Sequence, residues 1–206
     1  QRYNIETGFS YGKGLNSSLE AYFNIFSAYS DTLPIYPSPC YKYNLGDMFH
    51  PNRILTGNNL IYSYPPDANL YIYNSHNGKM KVAGCKSLNQ KKSIESFAQS
   101  DTVILNFKDQ LELLTTLPQY TSIQTSDSGY LYRMFLQEIE YKNKSGLFNT
   151  FRDKKCFLMK IDSTFTVVAE QEIPNKYLTS KMLQVGKGVG IVSKVNPISI
   201  DFDIYE

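Results

Sequence analysis

The chain has 206 residues, 42% of them hydrophobic, and a formal net charge of +2. This length and composition exclude disorder of the whole chain and allow a core that needs neither disulfides nor a metal. Lysines and arginines are scattered among acids without a basic stripe, which argues against a nucleic-acid partner. No apolar run is long enough for a membrane-spanning helix.

The first 50 residues carry only a weak pattern. Residues 2–10 and 20–29 contain aromatic-rich strand candidates, and Pro34, Pro37 and Pro39 then impose an extended stretch.

The stretch 50–86 gives the clearest signal. Four short aromatic or β-branched runs are separated here by Gly, Asn, Pro and Asp, which are hairpin-turn residues. Four strands in so few residues, joined by tight turns, predict one antiparallel meander with the size of a propeller blade. The following region, 86–116, is irregular, with one possible short helix at 93–98 that Ser93 would cap.

Two further units repeat this pattern, at 119–173 and 180–206. The first contains four strand candidates and a polar insertion at 142–155, and the second contains three. We therefore predict an all-β fold of propeller-type, antiparallel four-stranded blades in an incomplete or partial ring. The whole chain, 1–206, would be a single domain with about three recognisable blades.

The 17 tyrosines and 12 phenylalanines, without any tryptophan, fit half-exposed strands in which one ring face packs and the hydroxyl reaches water. A tyrosine-lined binding surface is the alternative. Cys40, Cys85 and Cys156 have no metal-ligand spacing and are interpreted as small buried hydrophobes, with one disulfide and a leftover thiol as the alternative. We expect neither a metal nor another cofactor.

Several stretches resemble the uncharacterised propeller lipoproteins classed as domain of unknown function four-two-two-one. These lipoproteins are similar to TolB-like six-bladed propellers and occur mainly in Bacteroides-type bacteria. The resemblance is carried by residues 60–73 and 83–86, by Tyr130-Leu131-Tyr132-Arg133, and by 157–177, in the order of the family. It covers roughly residues 50–206 and corresponds to the C-terminal part of a family member. Cys85 departs from it, since a serine is expected there.

The resemblance implies export by a lipoprotein signal and residence in the periplasm or on the outer-membrane surface. Any contact with a membrane would then use a lipid anchor absent from this chain. It implies no reaction.

Arg133 follows three bulky residues and needs a partner if it is buried. Glu170 is the predicted partner in a structural ion pair, and binding of an anion or a sugar near the central channel is the alternative. Tyr62, Tyr132, Arg133 and Glu170 are accordingly the candidate ligand-binding residues, and no catalytic residue is predicted.

The composition favours a non-catalytic binding or scaffold propeller that contacts a protein or a glycan through aromatic-rich loops on one rim. A glycoside-active hydrolase or lyase is the alternative, and it requires two or three acids at the centre of the propeller. A structural module that assembles a larger surface complex is a third possibility.

Overall fold

A computed structural model describes residues 19–23, 30–34, 51–93, 107–174, 182–195 and 200–206. The strand candidate at 2–10, Cys40 and nearly all of the possible helix at 93–98 lie outside these residues. Near the N-terminus, β1 (Leu19–Phe23) and β2 (Ser30–Pro34) pair as an antiparallel ladder.

The first four-stranded sheet is the predicted meander. It consists of β3 (Asn52–Thr56), β4 (Asn59–Ser63), β5 (Asn69–Asn74) and β6 (Lys79–Gly84), hydrogen-bonded in that order with antiparallel neighbours. Its two outer hairpins turn at Gly57 and Gly78, whose φ angles of 54° and 66° lie in the left-handed region that glycine adopts without steric cost.

The second sheet has the same order and consists of β7 (Gln119–Thr125), β8 (Leu131–Leu136), β9 (Cys156–Ile161) and β10 (Val167–Ile173). A 3₁₀ turn at Phe151–Asp153 precedes β9. The third sheet has three strands in the described residues: β11 (Met182–Val185), β12 (Gly188–Val195) and β13 (Ile200–Tyr205).

The core lies between successive sheets, with the second sheet in the middle. All six residues of β8 are buried, because Leu131 and Phe135 pack towards the first sheet while Tyr132, Met134 and Leu136 pack towards the third. A strand that is covered on both faces explains why this run is bulky throughout and does not alternate with polar residues.

One helix was not predicted. Helix α1 (Phe107–Thr116) occupies the end of the region interpreted as irregular. Leu113 in the helix and Leu117 directly after it are buried, at a four-residue spacing that the hydrogen bond from the Leu117 amide to the Leu113 carbonyl preserves. The apolar face of a ten-residue helix contains few residues, so its helical periodicity is weak. The strand patterns before and after it are longer and more regular.

The three sheets are arranged around their first strands. β7 lies beside both β3 and β11, as expected when the first strand of each blade is innermost. The predicted fold class, an all-β protein of propeller-type antiparallel sheets in a partial ring, is confirmed by these sheets.

Candidate binding surfaces

Arg133 joins the first two sheets and is completely buried. Its Nε donates to Ser63 Oγ at 2.9 Å, Nη1 to the carbonyl of Ala68 at 2.7 Å, and Nη2 to the carbonyl of Asp67 at 2.7 Å. The Cys85 carbonyl lies 3.5 Å from Nη1. The planar guanidinium therefore reaches four groups at the same end of the first sheet. The ammonium of a lysine, which is a point charge, could not reach all four.

The guanidinium also lies over an aromatic ring. Its carbon is 3.7 Å from the centroid of Tyr120, a cation–π distance. The Tyr120 hydroxyl donates to Gln90 Oε1 at 2.7 Å and accepts from the Ser87 amide at 3.0 Å. Burial raises the pKa of Tyr120 to about 12, against the opposing effect of Arg133. This ring is therefore a neutral, fixed platform for the cation.

Glu170 takes a different role from the one predicted. Its Oε1 accepts from Ser87 Oγ at 2.6 Å and from Asn89 Nδ2 at 3.0 Å, and its Oε2 accepts from the Leu88 amide at 2.7 Å. The expected ion pair with Arg133 is wrong. The loop after β6 presents amide and hydroxyl donors directly to this carboxylate, whereas backbone carbonyls already surround the guanidinium.

The two candidate tyrosines are packed inside the protein. Tyr62 is fully buried on the far side of the first sheet beside Tyr71, and Tyr132 lies between the second and third sheets. Burial raises the pKa of Tyr62 to about 12. The ligand-binding role of Tyr62, Tyr132, Arg133 and Glu170 stays a prediction, but burial of the first three favours packing over contact with a ligand.

The two described cysteines are free and buried, as small hydrophobes would be. The Cys85 thiol donates to the carbonyl of Phe165 at 3.0 Å and so ties the first sheet to the second. Burial raises the pKa of Cys85 to about 11 and that of Cys156 to about 12, which disfavours the reactive thiolate.

The strands nearest to one another at the centre supply no acid for catalysis. β3, β7 and β11 contain neither aspartate nor glutamate. No group of three His, Cys, Asp or Glu side chains that could hold a metal occurs among the described residues. The glycoside-active alternative, which requires converging carboxylates, therefore gains no support from the described parts of the chain.

The outward face of the third sheet is apolar. Leu183, Gly190 and Ile204 are cross-strand partners, and Val192 faces Phe202. Leu183, Phe202 and Ile204 are exposed by 44%, 38% and 58%. Together with the half-buried Val185 and Val192, these three side chains form what we call the open face.

Gly190 gives the open face its shape. A Cβ at this position would lie 2.9 Å from a Val185 methyl and 3.5 Å from Phe202 Cβ, so side chains of both outer strands close over the glycine. The other face of the same sheet buries Met182, Val189 and Ile191 against the second sheet. One face of the third sheet is thus used for packing within the chain, and the other carries apolar groups to solvent.

The insertion between β8 and β9 forms a hairpin, the insertion hairpin, at residues 141–149. The Asn143 amide donates to the Leu147 carbonyl at 2.9 Å, and the Asn149 amide donates to the Tyr141 carbonyl at 2.8 Å. Asn143 Oδ1 also accepts from the amides of Ser145 and Leu147, each at 3.0 Å. Backbone and side-chain bonds therefore give this polar insertion a defined shape.

A buried lysine lies between the insertion hairpin and β9. Lys154 is 1% exposed, and its Nζ donates to the carbonyl of Leu117, just beyond the end of α1. Burial lowers the pKa of Lys154 to about 7, although Glu138 opposes the shift. Glu138 Oε1 accepts from the amides of Lys91 and Lys92, and its Oε2 is buried without a hydrogen-bond partner among the described residues.

Comparison with known proteins identifies a solved structure with a similar fold. No protein-family model and no curated protein matches the chain. The chain is similar to the crystal structure of a member of the DUF4221 family from Bacteroides vulgatus ATCC 8482, with a TM-score of 0.62 and 16% identity, over 90% of this chain and 54% of that chain. At this identity the likeness shows the fold alone, and it agrees with the fold of the family that the sequence resembles.

The chain spans about half the length of that solved protein. No helix of the described residues is long and apolar enough to cross a bilayer.

Proposed function

We propose that this chain is a non-catalytic binding and scaffold module that acts outside the cytoplasm and presents the open face to a protein partner. One observation carries the proposal: Leu183, Phe202 and Ile204 stand on one face of a sheet whose opposite face is buried. Covering a side chain of this size contributes about 1.5–3 kcal/mol when burial is complete. Residence in the periplasm or on the outer-membrane surface, and membership of the propeller lipoproteins, come from the resemblance of the sequence.

A protein partner fits the open face better than a glycan does. Glycan sites combine aromatic platforms with polar groups that bond hydroxyls, whereas this face carries leucine, isoleucine, valine and one phenylalanine. The two sheet-to-sheet contacts within the chain are built from the same kinds of side chain. A sheet or an extended segment with apolar side chains is the partner chemistry that these contacts favour.

The test uses affinity capture from a cell-envelope extract with quantitative mass spectrometry. The variant Leu183→Ser/Ile204→Ser removes two side chains of the open face, and Val82→Ser, at a site that is 47% exposed on the first sheet, is the matched control. We expect one or more proteins to be captured by the parent and the control at equal levels and to be lost from the double variant.

Two results would contradict the proposal. The first is that the parent captures nothing above background and a glycan array is empty as well. The second is that the double variant captures the same proteins as the parent, which would move the binding site elsewhere. Protease accessibility in intact cells tests the compartment separately.

A further inference from the structure

A second surface, distinct from the open face, combines exposed apolar groups with lysines. It consists of the loop after β6, residues 86–93, and the insertion from 137 to 155; we call it the basic rim. The two parts are contiguous, because Gln137 Nε2 donates to the Asn89 carbonyl at 2.8 Å and Lys92 pairs with Glu140 at 2.9 Å. The basic rim shares no residue with the open face.

The tip of the insertion hairpin exposes two large apolar side chains next to each other. Leu147 is 66% exposed and Phe148 is 58% exposed. The Phe148 ring lies 5.0 Å from that of Tyr141, and the ammonium of Lys142 lies 5.2 Å from the Phe148 centroid. Since hydrogen bonds already fix the hairpin, these groups would lose little conformational entropy on binding.

The charge of the basic rim is positive where it meets solvent. Residues 141–150 contain two lysines, Lys142 and Lys144, and no acid, and Lys86 and Lys91 are exposed in the loop after β6. Each acid of the rim accepts from a lysine, an amide or a hydroxyl. These acids are Glu138, which binds loop amides, Glu140, which pairs with Lys92, and Asp153, which accepts from the amide and hydroxyl of Thr150. The neighbouring Glu170 and Glu172 of β10 bind a loop amide and Lys155.

We propose that the basic rim docks reversibly on an anionic phospholipid surface, with Leu147 and Phe148 entering the boundary between headgroups and acyl chains. Exposed Phe and Leu beside lysines are the combination that interfacial binding uses. Each lysine near an anionic leaflet contributes about 1 kcal/mol, and the two apolar groups add a similar amount each on partial burial. An acidic protein surface is disfavoured because lysine is depleted from protein interfaces.

The experiment is cosedimentation of the whole chain with vesicles of phosphatidylcholine alone and with equimolar phosphatidylcholine and phosphatidylglycerol. We expect binding to the mixed vesicles, weaker binding to phosphatidylcholine, and a decrease as salt is raised. The variant Leu147→Ser/Phe148→Ser is expected to lower the partition constant about tenfold, and Lys142→Gln/Lys144→Gln by a similar factor. These positions are exposed, so the variants should unfold at the parent's temperature.

The open-face variant Leu183→Ser/Ile204→Ser is the matched control and should bind vesicles like the parent. Absence of sedimentation with the mixed vesicles would overturn the docking proposal and leave the protein-partner proposal untouched. So would equal binding by the hairpin variants and the parent. Soluble polyglutamate is also added as a competitor for the mixed vesicles. If it displaced the parent and the Leu147→Ser/Phe148→Ser variant equally well, and this variant bound the vesicles as the parent does, an acidic protein partner would replace the phospholipid surface.

Discussion

Arg133, at the junction between the first two sheets, and Lys154, beside the end of α1, are two buried cations in different surroundings. Arg133 has neutral acceptors at the end of its side chain and the Tyr120 ring against its plane. Lys154 has one carbonyl acceptor, and its pKa falls to about 7. The comparison teaches that the type of buried cation matters: a guanidinium stays charged and offers several donors to the surrounding acceptors, whereas burial lowers the pKa of a lysine ammonium.

The largest effect is expected from Arg133→Met. Removing the guanidinium takes the donor from the Asp67 carbonyl and the Ser63 hydroxyl, and one of two donors from the Ala68 carbonyl, which also accepts from the Cys85 amide. A buried group that loses its only donor costs about 1–3 kcal/mol. We expect a loss of more than about 3 kcal/mol in the free energy of unfolding, measured by urea denaturation. Arg133→Lys should recover only a small part of it, because one ammonium cannot reach all of these acceptors. A loss below about 1 kcal/mol would show that the junction does not depend on this residue.

Lys154→Met tests the buried lysine through the pH dependence of the free energy of unfolding. The folded pKa of about 7 lies below the unfolded value of 10.5, so the unfolded chain binds more protons between these pH values. The stability of the parent should therefore rise as pH increases above 7, by up to about 1.4 kcal/mol per pH unit, and should not depend on this group below pH 7.

In Lys154→Met the rise should be absent. The urea midpoints of parent and variant are compared at pH 7 and pH 8.5, where the raised pKa values of the buried tyrosines and thiols have little influence on the difference. Parallel pH profiles would mean that Lys154 is solvated or paired more strongly than its burial indicates.

Glu170→Gln, at the edge of the junction between the first two sheets, is expected to lower the free energy of unfolding by an intermediate amount. The neutral amide cannot accept from Ser87, Leu88 and Asn89 as the carboxylate does, so we expect a loss of about 1–2 kcal/mol and faster hydrogen exchange at the Leu88 amide. The matched control is Glu172→Gln, whose exposed pair with Lys155 should be worth less than about 1 kcal/mol. Equal losses in the two variants would contradict a specific role for Glu170.

The smallest effect is expected on the thiols. Because burial raises the pKa of Cys85 to about 11 and that of Cys156 to about 12, both should resist alkylation in the folded protein at pH 8 and react only after unfolding. Mass spectrometry in a Cys40→Ser background measures this. Labelling of Cys85 before unfolding would show that the Arg133 junction opens locally.

Strand patterns predicted most of the fold, because side-chain alternation and turn residues are local properties. The four strands of the first sheet and the hairpins of the second lie between the turn residues Gly, Asn, Pro and Asp from which they were predicted. Helix α1 was missed, since two leucines in a short segment give a weak helical signal. The predicted Arg133–Glu170 pair failed because nothing in the sequence shows that backbone carbonyls would reach the guanidinium first.

The basic rim and the burial of Lys154 depend on contacts between distant segments. The sequence shows scattered lysines without a stripe, yet residues 86–93 and 137–155 meet through Gln137 and Glu140 to form the basic rim. Lys154, within an insertion predicted to be polar, is buried by contact with the end of α1.

By itself, the sequence determined that this chain forms antiparallel four-stranded units, because hydrogen bonding and pleating repeat every two residues and turns need particular residues. Only the tertiary structure decided which of those faces are covered, which lysine is buried and has its pKa lowered, and which lysines share a surface. Those properties follow from packing, desolvation and electrostatics between residues far apart in the chain, and no local pattern encodes the distances on which they depend.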